Sequence, residues 1–155
     1  TVTMGSLEIQ NQIASEEQAR RLALPVHAPV TSIRRVILTE GTPAAYLIDV
    51  LPEKVLKREA MNDHFTGSVL DLLIRLGQPP LAYSRTDVSV AYASSEVSKA
   101  LQIQPGVSLL ALTGVLFDVD GRPVDFSYSY FLPGHFRLHL IRKIGGIASE
   151  ETWAS

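Results

Sequence analysis

The chain contains no cysteine. That excludes disulfide staples and thiolate metal sites, and it suits a cytoplasmic protein, the location expected here. No segment reaches the ~18 consecutive apolar residues of a membrane-spanning helix, and no charged start leads into an apolar signal segment. Charge of one sign is lacking as well. Fourteen basic residues are scattered among sixteen acidic ones, for a net charge of −2 at pH 7. No basic stripe of the kind that holds duplex DNA results. There is no glycine-rich phosphate loop, since Gly145-Gly146 opens no helix. The four histidines (His27, His64, His135, His139) form no pair at metal-ligand spacing. No serine occupies a strand–turn–helix elbow. Asp118 and Asp120 flank a hairpin turn, where aspartate is favoured by turn geometry alone. No catalytic residue, metal site or cofactor is expected.

What is present is an ordinary globular composition, 46% hydrophobic and 19% charged over 155 residues, enough for one domain with its own core. It also carries a loose internal repeat. Ala14-Ser15-Glu16-Glu17, Leu22 and Leu24, Gly41-Thr42-Pro43 and Leu51-Pro52 form a first copy. Ala93-Ser94-Ser95-Glu96, Leu101 and Ile103, Gly121-Arg122-Pro123 and Leu132-Pro133 form a second. Each copy reads as a serine-started helix followed by a hairpin. Such a unit buries too little apolar surface to stand alone, so two copies are expected to share one sheet.

Residues 1–5 read as a linker remnant and 6–14 as a weakly alternating strand. Ser15 with Glu16 and Glu17 opens a helix that Pro25 and Pro29 close. Thr31–Leu38 and Ala45–Leu51 read as strands around the turn Glu40–Pro43. Residues 52–64 are polar and irregular. Ser68-Val69-Leu70-Asp71 is a capping pattern that starts a helix ending at Gly77. Leu81–Tyr92 reads as a strand, Ser94–Leu101 as a helix, and Val107–Phe117 with Val124–Leu132 as a second hairpin. Phe136–Ile144 reads as a last strand and 145–155 as a tail. The class is α+β, mostly antiparallel sheet with helices on one face. Tyr128 and Tyr130 alternate with Ser127 and Ser129 on their strand and suit core, cleft wall or dimer surface.

The order of these motifs resembles a known family. Ile33-Arg34-Arg35, Gly67-Ser68-Val69-Leu70 with Leu73 and Gly77, and Pro105-Gly106 with Leu109-Leu110 all fall in place. Asp118-x-Asp120-Gly121-Arg122-Pro123-Val124 and Pro133-Gly134-His135-Phe136-Arg137 complete the series. Together they are similar to the UTRA (UbiC transcription regulator-associated) domain, the effector-sensing half of the HutC branch of GntR-type bacterial repressors. The likeness covers residues 6–144. It implies a chorismate lyase-like fold with a ligand cleft between two halves, a homodimer, and an N-terminal winged-helix domain that contacts operator DNA. No such winged helix is expected within this chain, which is read as an isolated effector domain.

The resemblance also implies a site. Members that sense phosphorylated amino sugars carry Arg-x-Arg where this chain has Arg35-Val36-Ile37, and a glutamate where it has Leu47. Their Ser-x-Tyr falls on Ser68-Val69-Leu70, a glutamate on Asp125 and a tyrosine on Phe131. Arg35, Ile37, Leu47, Ser68, Leu70, Asp125 and Phe131 are thus the candidate ligand-binding residues, joined by Arg137. One guanidinium and one helix start suit a single carboxylate better than a phosphate dianion. The implied effector is a carboxylated, partly apolar metabolite. Ile37 and Leu47 equally suit plain core positions, and Ser68 a helix cap. An enzyme acting on an aromatic carboxylate is the rival reading, with Arg35 and Arg137 as its arginines. A dimerisation module with a degenerate cleft is the third.

Overall fold

The computed structural model describes residues 1–61, 65–139, 141, 143 and 144. Its strands are β1 (Val2–Ile13), β2 (Pro29–Thr39), β3 (Thr42–Pro52), β4 (Leu81–Tyr92), β5 (Ser108–Asp118) and β6 (Pro123–Phe131). Three helices accompany them: α1 (Glu16–Arg21), α2 (Val69–Leu76) and α3 (Ser95–Leu101), with a 3-10 turn at Arg58–Ala60. All six strands join one sheet in the order β1-β2-β3-β6-β5-β4, antiparallel at every pairing.

The repeat is larger than a helix and a hairpin. β4 begins 79 residues after β1 (Val2 to Leu81), α3 the same distance after α1 (Glu16 to Ser95), and β5 after β2 (Pro29 to Ser108). Each half is therefore strand, helix, hairpin, and the halves meet at the β3–β6 pair in mid-sheet. They also interlock. α1 packs over β6 and α3 over β3, each helix reaching into the other half. Arg21 of α1 sits 5.5 Å from the Phe126 ring centroid. Glu96 of α3 accepts from Arg34 Nη1 (2.8 Å) and from the Tyr46 hydroxyl (2.9 Å).

Local chemistry explains the helices. Ser15 closes a reciprocal cap with Gln18: its Oγ accepts from the Gln18 amide (3.1 Å), while Gln18 Oε1 accepts from the Ser15 amide (2.9 Å). Ser94 does the same one-sidedly for α3, accepting from the Val97 amide. Ser68 caps α2 from the Asp71 amide, and Gly77 ends it at φ +71°. Between β2 and β3 the two-residue loop Glu40-Gly41 has positive φ at both positions, the twist-matched hairpin turn.

Strand alternation splits the core in two. Val30, Val36, Tyr46, Ile48, Val50, Val115 and Phe126 face α1 and α3. Ile33 and Leu51 face the other way, onto Leu56, Phe65 and the Val69, Leu72, Leu73 stripe of α2. Helices thus cover both faces of the sheet, not one. The α+β class and the mostly antiparallel sheet are as expected.

Two further expectations change. The first strand starts at Val2, so residues 2–5 are sheet, with Val2–Met4 paired to Ile37–Thr39. Its alternation is faint because β1 is an edge strand, largely exposed on both sides. Phe136–Ile144 supplies no further strand among its described residues, only an isolated bridge between Pro133 and Phe136. β6 is already flanked by β3 and β5, so the chain leaving it has no open neighbour to pair with. Residues 145–155, read as a tail, lie outside the described residues.

Leu73 anchors α2 from a fully buried position, whereas Ile74 beside it is exposed. Leu73→Ala is expected to cost about 2–5 kcal/mol, and Ile74→Ala to stay within about 0.5 kcal/mol of wild type. Urea unfolding of the two variants checks the placement of this helix.

Candidate functional site

The connection from β3 to β4 must cross from mid-sheet to the far edge, and it carries α2 over one face on the way. Beside α2 the same face stays open. The result is a cleft of about 250 Å³ between the N-terminal turn of α2 and strands of both halves. Its lining includes Arg35, Asp49 and Asp125, the hydroxyls of Ser68, Ser84, Thr86, Ser127 and Ser129, and the apolar Val69, Leu70 and Leu116.

Three charged side chains, each about 5–6% exposed, define its floor. Arg35 Nη1 donates to Asp49 Oδ2 at 2.6 Å. Arg35 Nε donates to the carbonyl of Gly67, and the guanidinium lies 5.9 Å from the Phe65 ring centroid. The arginine thus ties β2 to β3 and to the segment that leads into α2. Asp125 on β6 completes the group, and its Oδ1 has no hydrogen-bond partner despite full burial. Burial pushes the Asp125 carboxyl well above the usual range. The Asp49 charge and a hydrogen bond shared with Asp49 push the same way, with Arg35 opposing.

Gly114 opens the floor. A Cβ there would lie 2.9 Å from Thr86 Oγ1 and 3.5 Å from Ser127 Oγ. Any larger residue would fill the space those hydroxyls border.

Four of the expected site residues meet here: Arg35, Ser68, Leu70 and Asp125. Ile37, Leu47 and Phe131 share the face but do not line the cleft. Leu47 pairs with Arg35 and Ser129, while Ile37 and Phe131 sit one rung further along, both facing Ala45. Phe131 packs edge-on against Phe136, ring centroids 5.0 Å apart. Arg137 is exposed in the segment after β6 and does not join the cleft. The expectation that Arg35 offers a free guanidinium to a carboxylate also changes, because Asp49 and Gly67 already hold it.

Asp49 was the residue that motif reading missed. Its signal was an acid alone inside the apolar run Tyr46–Leu51, a place where a charge survives only if paired. Ser127 and Ser129 were masked by their aromatic neighbours, which face α1 and α3.

A larger hollow of about 520 Å³ lies at one end of the sheet, lined in part by Leu22, Val55, Pro79 and Asp118. Asp118 there is satisfied within its own turn, accepting from the amides of Asp120 and Arg122 at 2.9 Å. The smaller cleft holds the buried acid whose Oδ1 has no partner and is the stronger site. Among the described residues no three metal-ligating side chains converge, and no helix is long and apolar enough to cross a membrane. His64 lies outside the described residues.

The sequence profile of the UTRA domain matches residues 1–137. A helix-turn-helix-type transcriptional regulator of Rhizobium meliloti, itself uncharacterised, is 25% identical over 127 residues, 82% of this chain and 52% of the regulator. The chain thus spans about half the length of that relative. A ligand-binding domain assigned to a GntR-family regulator of Bordetella bronchiseptica superimposes with a TM-score of 0.80 at 19% identity, covering 92% of each chain. A GntR-family transcriptional regulator of Enterococcus faecalis V583 does so at 0.76 and 16%, covering 92% of this chain and 100% of the other.

The raised Asp125 carboxyl ties stability to pH. Its folded value lies above the unfolded one of about 3.9, so its contribution is full below pH ~4 and is lost as pH rises through the folded value. Asp125→Asn is expected to remove that loss, so its stability relative to wild type should rise between about pH 4 and 8. Urea midpoints across this range check the sign. A constant difference would contradict it.

Proposed function

The chain belongs to the UTRA domain family, and we propose on that basis that it is the effector-sensing and dimerisation domain of a GntR-type transcriptional regulator of the HutC branch. A small molecule enters the cleft beside α2 and meets Arg35, Ser68, Leu70 and Asp125. Operator DNA is contacted by a winged-helix domain outside this chain, and the assembly works in the cytoplasm. The observation that carries the reading is the buried Oδ1 of Asp125, a hydrogen-bonding group left open at the bottom of a cleft between the two halves. An incoming ligand that satisfies it favours the arrangement of α2 and sheet in which it binds. That preference shifts the population of domain arrangements and hence operator affinity.

The enzyme reading loses its support at Arg137. An enzyme gripping an aromatic dicarboxylate needs convergent guanidiniums, and Arg137 is exposed away from a paired Arg35. The carboxylated effector suggested by a free Arg35 loses support for the same reason.

Dimerisation is better argued from β4 than from β6, which lies inside the sheet with both edges paired. β4 is the edge strand of the second half, and Val88, Val90 and Tyr92 are exposed along it, Val90 at 68% and Tyr92 at 72%. An apolar, unpaired edge of this kind asks for cover, and a second copy supplies it.

Two measurements follow. Light scattering on the purified chain is expected to give a dimer, with Val90→Lys raising its dissociation constant at least about tenfold. A wild-type monomer at all working concentrations would sink the dimer. For the full regulator, the metabolite that stabilises this domain is expected to change affinity for its own promoter DNA by about 5–150-fold. An unchanged affinity at saturation would rule out effector sensing.

A further inference from the structure

The cleft floor sets two carboxyl groups against one guanidinium, so its charges fail to balance once both acids are ionised. Arg35 carries one positive charge, already 2.6 Å from Asp49. Asp125 is a second acid on the same floor, nine-tenths buried, with Oδ1 aimed at nothing. An anionic ligand would enter beside two carboxyl groups whose one guanidinium is shared, and it would gain little from Arg35. The remaining polar surface is hydroxyl: Ser84 and Thr86 on β4, Ser127 and Ser129 on β6. Hydroxyls both donate and accept, so they suit a polar, hydroxyl-bearing body. The volume, about 250 Å³, is on the scale of a small metabolite.

We propose that the effector is a small organic cation, an ammonium compound bearing hydroxyl groups, whose N–H donates to Asp125 Oδ1 while its hydroxyls bond the Ser84, Thr86, Ser127 and Ser129 side chains. This rests on the sensing role assigned to the cleft and narrows it to one ligand chemistry. The positive charge compensates the surplus acid, which burial otherwise penalises. The charged groups facing Asp125 are Asp49, which disfavours an anion there, and Arg35, which favours one but is already paired with Asp49. In the empty cleft Asp125 is inclined to hold its proton, for burial and Asp49 both favour the neutral acid. Binding of the cation then releases that proton to solvent, and the ammonium–carboxylate pair forms in its place.

Two trios matched in shape and differing in charge test this on the chain by calorimetry: glucosamine, glucose and glucuronate, and phenethylamine, phenethyl alcohol and phenylacetate. The amine of a trio is expected to bind at least about tenfold tighter than its neutral and acidic partners. Glucosamine is expected to exceed phenethylamine, because the cleft is hydroxyl-lined. Asp125→Asn should weaken amine binding at least about tenfold. In the wild-type protein the amine's binding enthalpy should change with the ionisation enthalpy of the buffer, which reads proton release without any substitution. Preferred binding of glucuronate or phenylacetate, with no buffer dependence, would overturn the proposal and leave the sensing role standing. Failure of all six to bind below about 10 mM would overturn it as well, and the promoter measurement would still decide the sensing role separately.

Discussion

The buried ion pair between Arg35 and Asp49 fixes the arrangement on which the cleft depends. Two charges removed from water are costly unless geometry and further hydrogen bonds repay them. Here the 2.6 Å contact is reinforced by the Gly67 carbonyl and by the Phe65 ring. Those partners come from β2, β3 and the segment entering α2, so one guanidinium fixes where the helix begins relative to the sheet. Among the described residues it also commits the one buried cation of the cleft floor. Asp125 is thereby left without a guanidinium of its own, and its Oδ1 has no hydrogen-bond partner.

The division of labour between the two sheet faces follows from the duplication. α1 and α3 are related by the repeat and cross over each other's half, closing one face symmetrically. Nothing in the repeat covers the opposite face. Among the described residues the crossover from β3 to β4 does, and an eight-residue helix is too short to span six strands. The uncovered remainder is the cleft. Its polar floor sits on β2, β3 and β6, and its rim runs out onto β4, the edge proposed for dimer contact. A ligand at the floor and a partner at the rim would therefore bear on the same rungs of one sheet, a short mechanical path between sensing and assembly.

Much of this was legible in the chain itself. Serine caps at Ser15, Ser68 and Ser94 and the stop at Gly77 placed the helices, because capping is local chemistry. The hairpins followed from their turns for the same reason. The edge strand β1 was half missed: without a buried face, nothing imposes period-two hydrophobicity on it. The site was legible only in part. Arg35, Ser68, Leu70 and Asp125 were found as motif positions, but a motif does not say what an arginine is already bonded to. Asp49 decides that, and its role depends on the register between β2 and β3, which places residues 14 apart in sequence side by side. Ser84 and Thr86 reach the cleft through β4, the far edge of the other half, and only topology could bring them there.

A double-mutant cycle on Arg35 and Asp49, read in unfolding free energy, bears most directly on the claim that this pair organises the cleft. Arg35→Met and Asp49→Leu are each expected to destabilise by about 3–5 kcal/mol by stranding the other charge. Together they should cost much less than their sum, with a coupling of at least about 2 kcal/mol. A coupling within about 0.5 kcal/mol of zero would contradict the account, because Arg35 would then not belong to Asp49, and Asp125 would not be the acid left without a guanidinium.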